Sequence, residues 1–173
     1  LAQSRRETAF SCLLDGDMIR LAREDDVERI GELWLELVEH HRGFDESMFR
    51  ASAEGPALYS QNIHSRLSDK LARVLVAEAQ GEIVGYALGM ILDVTTELFM
   101  PMRVGFVADI YVVKAHRRQG KGRQLVERLV LWFASQDVHC FEWHVTASNH
   151  KALKFWEAVG GEITMLRMRA EIR

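Results

Sequence analysis

The chain has 173 residues, of which 48% are apolar and 27% charged, and its formal net charge is −3. Such a composition describes one globular domain rather than a disordered chain, and its acidic balance argues against a dedicated nucleic-acid binder. No apolar run approaches the roughly 20 residues that a membrane span requires, and Cys12 and Cys140 are too few and too far apart for a disulfide framework or a zinc site.

Leu1–Asp17 has neither the basic start nor the apolar centre of a secretory signal. It reads as an extension, vector-derived or a native arm, and residues 18–173 read as a single domain in a cytoplasmic setting. Met18–Ala22 is a short strand leading into the acidic cluster Glu24-Asp25-Asp26, which suits a helix start. Val27, Ile30, Leu33, Trp34, Leu37 and Val38 then recur at helical spacing as far as about Glu39. Gly55-Pro56 marks a break before a second helix over Leu58–Leu71. Arg73–Glu78 and Ile83–Ile91 are strands joined at Gln80-Gly81-Glu82, and a loop over Thr95–Gly105 follows. Phe106–Val113 reads as a strand buried on both faces. Gly122–Gln136 is a helix with Leu125, Leu129 and Phe133 on one face. A strand at Phe141–Thr146, a helix at Asn149–Val159 and a last strand at Thr164–Ile172 complete a mixed α/β pattern.

The turn Arg117-Arg118-Gln119-Gly120-Lys121-Gly122, set between a strand and a helix, has a mechanical meaning. Glycine lets a ligand approach the main chain, and the helix start offers unpaired N–H groups and the positive end of its dipole. Arg117, Arg118, Lys121 and Arg123 add cations, so a pyrophosphate is the expected guest. The bland alternative is a strand–helix connection with a basic solvated face. Neither the Walker pattern nor the dinucleotide GxGxxG pattern fits.

The stretch Val112-x-x-x-x-Arg117-Arg118-Gln119-Gly120-Lys121-Gly122-x-x-Leu125 resembles the acetyl-CoA motif of the GNAT acetyltransferases. Asn149-x-x-Ala152-x-x-Phe155-Trp156-Glu157-x-x-Gly160 resembles that family's second motif, and Val76-Ala77-Glu78 with Gly81–Tyr86 resembles its central hairpin. The resemblance runs from Met18 to Ile172. It implies a mixed α+β GNAT fold, with a mostly antiparallel sheet of about six strands, splayed at two parallel strands and flanked by helices. It also implies acetyl-CoA as cosubstrate, with no metal. The turn Arg117–Arg123, including Gln119, would hold the CoA pyrophosphate, the backbone of Val112 and Val113 would pair with the pantetheine, and Asn149 would bond the pantetheine arm as well as cap its helix.

Acetyl transfer needs a deprotonated amine, because an alkyl amine with a pKa of roughly 10 is protonated at neutral pH. His144 is the first candidate base, since the resemblance places it where N-terminal acetyltransferases carry one acting through water. Asp109 is the second, and Glu142, on the same strand face as His144, is a candidate helper. A backbone N–H, that of Val112, is expected to polarise the thioester carbonyl. Trp156 stands where the family has a Tyr that protonates the leaving thiolate. Indole cannot do this, and Tyr111 or Tyr86 are candidate substitutes that no motif marks. The acceptor is an amine of a small molecule, a protein or a peptide. It is expected to meet Val38–Phe49, which includes His40 and His41, and the loop carrying Glu97, Phe99, Met100 and Met102. A non-catalytic CoA-binding module is the alternative reading. The last strand leaves a short sheet with an open edge, so a homodimer is expected.

Overall fold

Among the described residues, five strands form one sheet in simple sequence order, and helices cover both of its faces. The structure is a computed structural model, and it describes residues 18–47, 49–94, 102–170 and 172. The expectations for Leu1–Asp17 and for Glu97, Phe99 and Met100 therefore lie outside the described residues.

Strand β1 (Met18–Leu21) pairs antiparallel with β2 (Ala72–Ala79), which pairs with β3 (Glu82–Val94) through the turn at Gln80 and Gly81. Strand β3 pairs antiparallel with β4 (Met102–Val112), and β4 pairs parallel with β5 (Phe141–Trp143). Helices α1 (Val27–Arg42) and α2 (Gly55–Leu67) bury Ile30, Leu33, Leu37 and Ile63 on one face of the sheet. Helices α3 (Lys121–Ser135) and α4 (His150–Ala158) bury Leu125, Val126, Leu129, Phe133 and Trp156 on the other. The periodicities of 3.6 and 2 set these faces, as the sequence predicts. Helix α2 starts three residues early because Pro56 occupies its first turn, where a missing N–H costs nothing.

The amino end is clamped by charge. Arg20 on β1 donates to Asp26 (2.6 and 3.0 Å) and to Glu78 on β2 (2.8 Å). Asp26 also accepts from the Arg23 N–H at 2.7 Å. Burial alone would raise the Asp26 carboxyl, but these bonds outweigh it and hold its pKa below the ordinary value.

Two expectations need correction. Among the described residues the sheet has five strands rather than about six, because residues 161–170 form no strand. Met165, Leu166 and Met168 are 86, 75 and 91% exposed, so their apolar alternation finds no sheet to pack on. Alternation predicts a strand only where a partner edge and a covering layer exist. The β5 strand is also shorter than its sequence suggests, ending at Trp143 rather than Thr146. Among the described residues, no helix is long and apolar enough to cross a membrane.

Candidate active site

Strand β4 outruns its parallel neighbour. It meets β5 only from Gly105 to Val107, opposite Phe141 to Trp143, yet it continues to Val112. The last residues of β4 therefore border an open cleft in the sheet.

A bulge decides which way β4 aims its side chains. Asp109 lies opposite Leu88 and Val107 opposite Gly89, so Ala108 is an extra residue in the ladder. Val107 and Ile110 pack toward α3 and α4. Ala108 faces α1 and α2, and Asp109 does too, accepting a hydrogen bond from Tyr59 of α2 at 2.7 Å. Strict alternation would have put Asp109 on the α3 side with Val107. The same bulge turns the main chain. The Val113 N–H donates to the Val84 carbonyl at 2.9 Å, so alternate residues point to β3 and Val112 points away from it. The Val112 carbonyl accepts from Arg117 Nε at 2.8 Å, and its N–H faces the cleft in the sheet. Of the two residues, Val112 turns its N–H away from β3, whereas the N–H of Val113 is committed to β3.

The turn after β4 has the backbone of an anion cradle. Arg118 and Gly120 have φ of 62° and 83°, and Gly120 is the N-cap of α3. The Gln124 N–H donates to the Gly120 carbonyl at 3.0 Å, so the N–H groups of Gly122 and Arg123 precede the first helical bond. The expected ring of cations is arranged differently from its sequence order. Arg117 folds back over the Tyr111 ring, 5.1 Å from its centre. Lys121 is buried, and Arg123 pairs with Glu127 at 2.9 Å. Gln119 bonds the Ala115 carbonyl at 3.3 Å. Arg118 stands exposed at the rim.

The second motif meets the first. A Cβ on Gly122 would lie 3.6 Å from the Phe155 ring of α4, so the turn and α4 are neighbours. Asn149 is buried and caps α4, its Oδ1 accepting from the Ala152 N–H at 3.1 Å. Trp156 is buried against Trp143, with ring centres 4.2 Å apart. We expect Trp156→Tyr to lower thermal stability by about 1 kcal/mol through lost stacking and to leave turnover nearly unchanged. A tenfold rise in turnover, read by steady-state kinetics, would show instead that the missing acid limits the reaction.

On the α1 and α2 face lies a cleft lined by the apolar side chains of Trp34, Leu37, Val38 and Phe49 and by the polar ones of His41, Arg50 and Asp109. The segment Val38–Phe49 thus supplies one wall of this cleft. Trp34 stacks on Tyr59 at 5.0 Å, an aromatic floor that no sequence motif marks. Burial raises the Asp109 carboxyl above its ordinary pKa, and the bond from Tyr59 only partly offsets this. His144 lies just past the end of β5, exposed, its ring edge-on to Phe106 at 5.3 Å. Glu142 is also exposed. Tyr86 and Tyr111 both face the α1 and α2 cluster. Burial raises both phenols, and Tyr111 donates to Glu36 at 3.2 Å. Cys140 precedes β5 and is exposed rather than packed. Among the described residues, no three His, Cys, Asp or Glu side chains gather as metal ligands.

The model of the Acetyltransferase (GNAT) family matches residues 34–160. The chain belongs to this family. No curated protein sequence matches it significantly. Among solved structures, the F44R mutant of the BH1408 protein from Bacillus halodurans is similar at 20% identity and a TM-score of 0.82, over 90% of this chain and 99% of that one. The aminoglycoside N-acetyltransferase AAC(6')-Iy in complex with CoA is similar at 17% identity and a TM-score of 0.71, over 92% and 96%. The aminoglycoside 6'-N-acetyltransferase AAC(6')-IG from Acinetobacter haemolyticus is similar at 20% identity and a TM-score of 0.70, over 90% and 98%. These likenesses concern the fold. The GNAT architecture of this chain is a mixed α+β sheet with one parallel pair, flanked by helices.

Proposed function

We propose that this GNAT protein transfers an acetyl group from acetyl-CoA to a primary amine. One juxtaposition carries the reading: a single strand, β4, ends in the anion cradle, borders the open gap with the Val112 N–H, and aims Asp109 into an aromatic cleft. Pyrophosphate on the turn amides would place the thioester along the gap, and the cleft would hold the acceptor.

The amine nitrogen attacks the thioester carbonyl carbon, and the Val112 N–H supports the oxyanion that forms. Asp109 takes the amine proton. A carboxyl raised by burial is a better proton acceptor than an ordinary one. Collapse of the intermediate breaks the C–S bond and releases the thiolate, whose pKa of about 8.5 lets it leave without an acid at position 156. This reading makes Asp109 the base in place of His144, because Asp109 lies in the cleft and the imidazole lies in solvent past β5. His144 and Glu142 are exposed at the end of β5 and outside the cleft lining, so they take no proton in this reading.

Free-thiol release from acetyl-CoA across an amine panel tests the activity. A chain that binds acetyl-CoA but releases no thiol with any amine is a CoA-binding module instead. The reading includes a homodimer, with the exposed residues Met165, Leu166 and Met168 supplying its contact. Light scattering at micromolar concentration should then give twice 19.8 kDa. A purely monomeric mass removes this part.

A further inference from the structure

The acids near the cleft make a polycationic acceptor a poor match. Glu39 and Glu46 both pair with Arg42, at 3.4 and 3.5 Å. Asp45 pairs with Arg169 at 2.9 Å, and Glu36 lies 3.8 Å from Arg29 while accepting from Tyr111. Among the described residues, the carboxylates of Glu36, Glu39, Asp45 and Glu46 are thus each matched by a cation of the protein itself. Asp109 differs, because its bond comes from the neutral hydroxyl of Tyr59.

Positive charge stands at the same cleft. Arg50 lines it, is exposed, and uses Nε to donate to the Glu46 carbonyl at 3.2 Å. Among the described residues, no carboxylate forms an ion pair with it. His41, the other polar neighbour, is half-buried, and burial followed by the charge of His40 lowers its pKa, so it adds no cation at neutral pH. Between Asp109 and Arg50 the walls are apolar: Trp34, Leu37, Val38 and Phe49.

We propose that the acceptor is a monoamine on an aromatic or branched apolar stem that also bears a carboxylate. Its nitrogen lies toward Asp109, its stem between Trp34 and Phe49, and its carboxylate on Arg50. Guanidinium suits this role, since its planar fork matches a carboxylate in two parallel bonds. The proposal rests on the acetyl-transfer reading given above.

The test compares thiol release for matched monoamines with and without a carboxylate, such as phenylalanine and phenethylamine, across aromatic and branched stems, with spermine as the polycation. The carboxylate-bearing members should show kcat/KM about tenfold higher, the worth of one charge-assisted bond, and spermine should be the poorest acceptor. Arg50→Gln should erase the preference, lowering kcat/KM about tenfold more for the carboxylate-bearing members than for the amines without carboxylate, and Arg50→Lys should restore part of it. Preference for spermine, or for the amines without carboxylate, overturns the proposal. So does an Arg50→Gln variant that slows both classes equally. If the chain binds acetyl-CoA by calorimetry but no amine of any class releases thiol, the transfer reading itself has failed, and this inference falls with it.

Discussion

Asp109→Asn is expected to lower turnover by about 10², the usual scale for a positioned base, while raising thermal stability. Asparagine keeps the shape and can still accept from Tyr59 through its carbonyl oxygen, so the floor of the cleft is retained. What it removes is a charge that burial disfavours. The sign follows from linkage. The folded-state pKa of Asp109 is raised, so the folded chain holds its proton more tightly than the unfolded chain. Stability associated with Asp109 is therefore full below the unfolded pKa and is lost as pH rises through the folded one. At neutral pH the variant should melt higher than the parent, by about 3 °C for each kcal/mol relieved, and the gap should close on acidification.

Kinetics separates this from mere stabilisation. The acid limb of the parent pH–rate profile should lie above the ordinary carboxylate range and vanish in the variant. His144→Ala should leave that limb in place. If Asp109→Asn keeps parental turnover and His144→Ala moves the limb, the imidazole is the base and Asp109 is a structural acid.

Gly122→Val is expected to weaken acetyl-CoA binding by at least about tenfold with the fold intact, because a side chain there narrows the approach to the helix N-terminus. The position is well suited to the test. A Cβ at Gly122 would make only an ordinary contact with Phe155, and its backbone is helical, so the substitution introduces no backbone strain. The branches of valine would fill the space between the turn and α4. Gly120→Val should weaken binding as well, but by another route, since φ of 83° is strained for any β-branched residue. Titration calorimetry checks both, with circular dichroism confirming the fold. An unchanged Kd for Gly122→Val would take the pyrophosphate away from this turn.

The amino-acid sequence by itself determined the family, the order of the elements as far as α4 and the strand–turn–helix passage at Arg117–Gly122. These depend on local chemistry: glycine at the turn, a helix start after a strand, apolar residues at periods of 2 and 3.6, and Asn149 as a cap. Each acts within a few residues of where it is read, so it is visible along the chain. The sequence also singled out Val38–Phe49, three residues of which, Val38, His41 and Phe49, line the cleft on that face. It could not assign the roles of the charges, because an ion pair depends on distance in space. Arg117 turned back onto the Val112 carbonyl, Arg123 went to Glu127, and the acids around α1 found arginines of their own. Nor could it place Tyr59 beneath Asp109, 50 residues away, or show that the apolar alternation after Gly161 lacks a sheet to join. Most of all, the direction of Asp109 was settled by the bulge at Ala108. One extra residue in the β3–β4 ladder reverses the alternation, and that depends on how β3 pairs with β4, which period-2 reading of either strand alone does not contain.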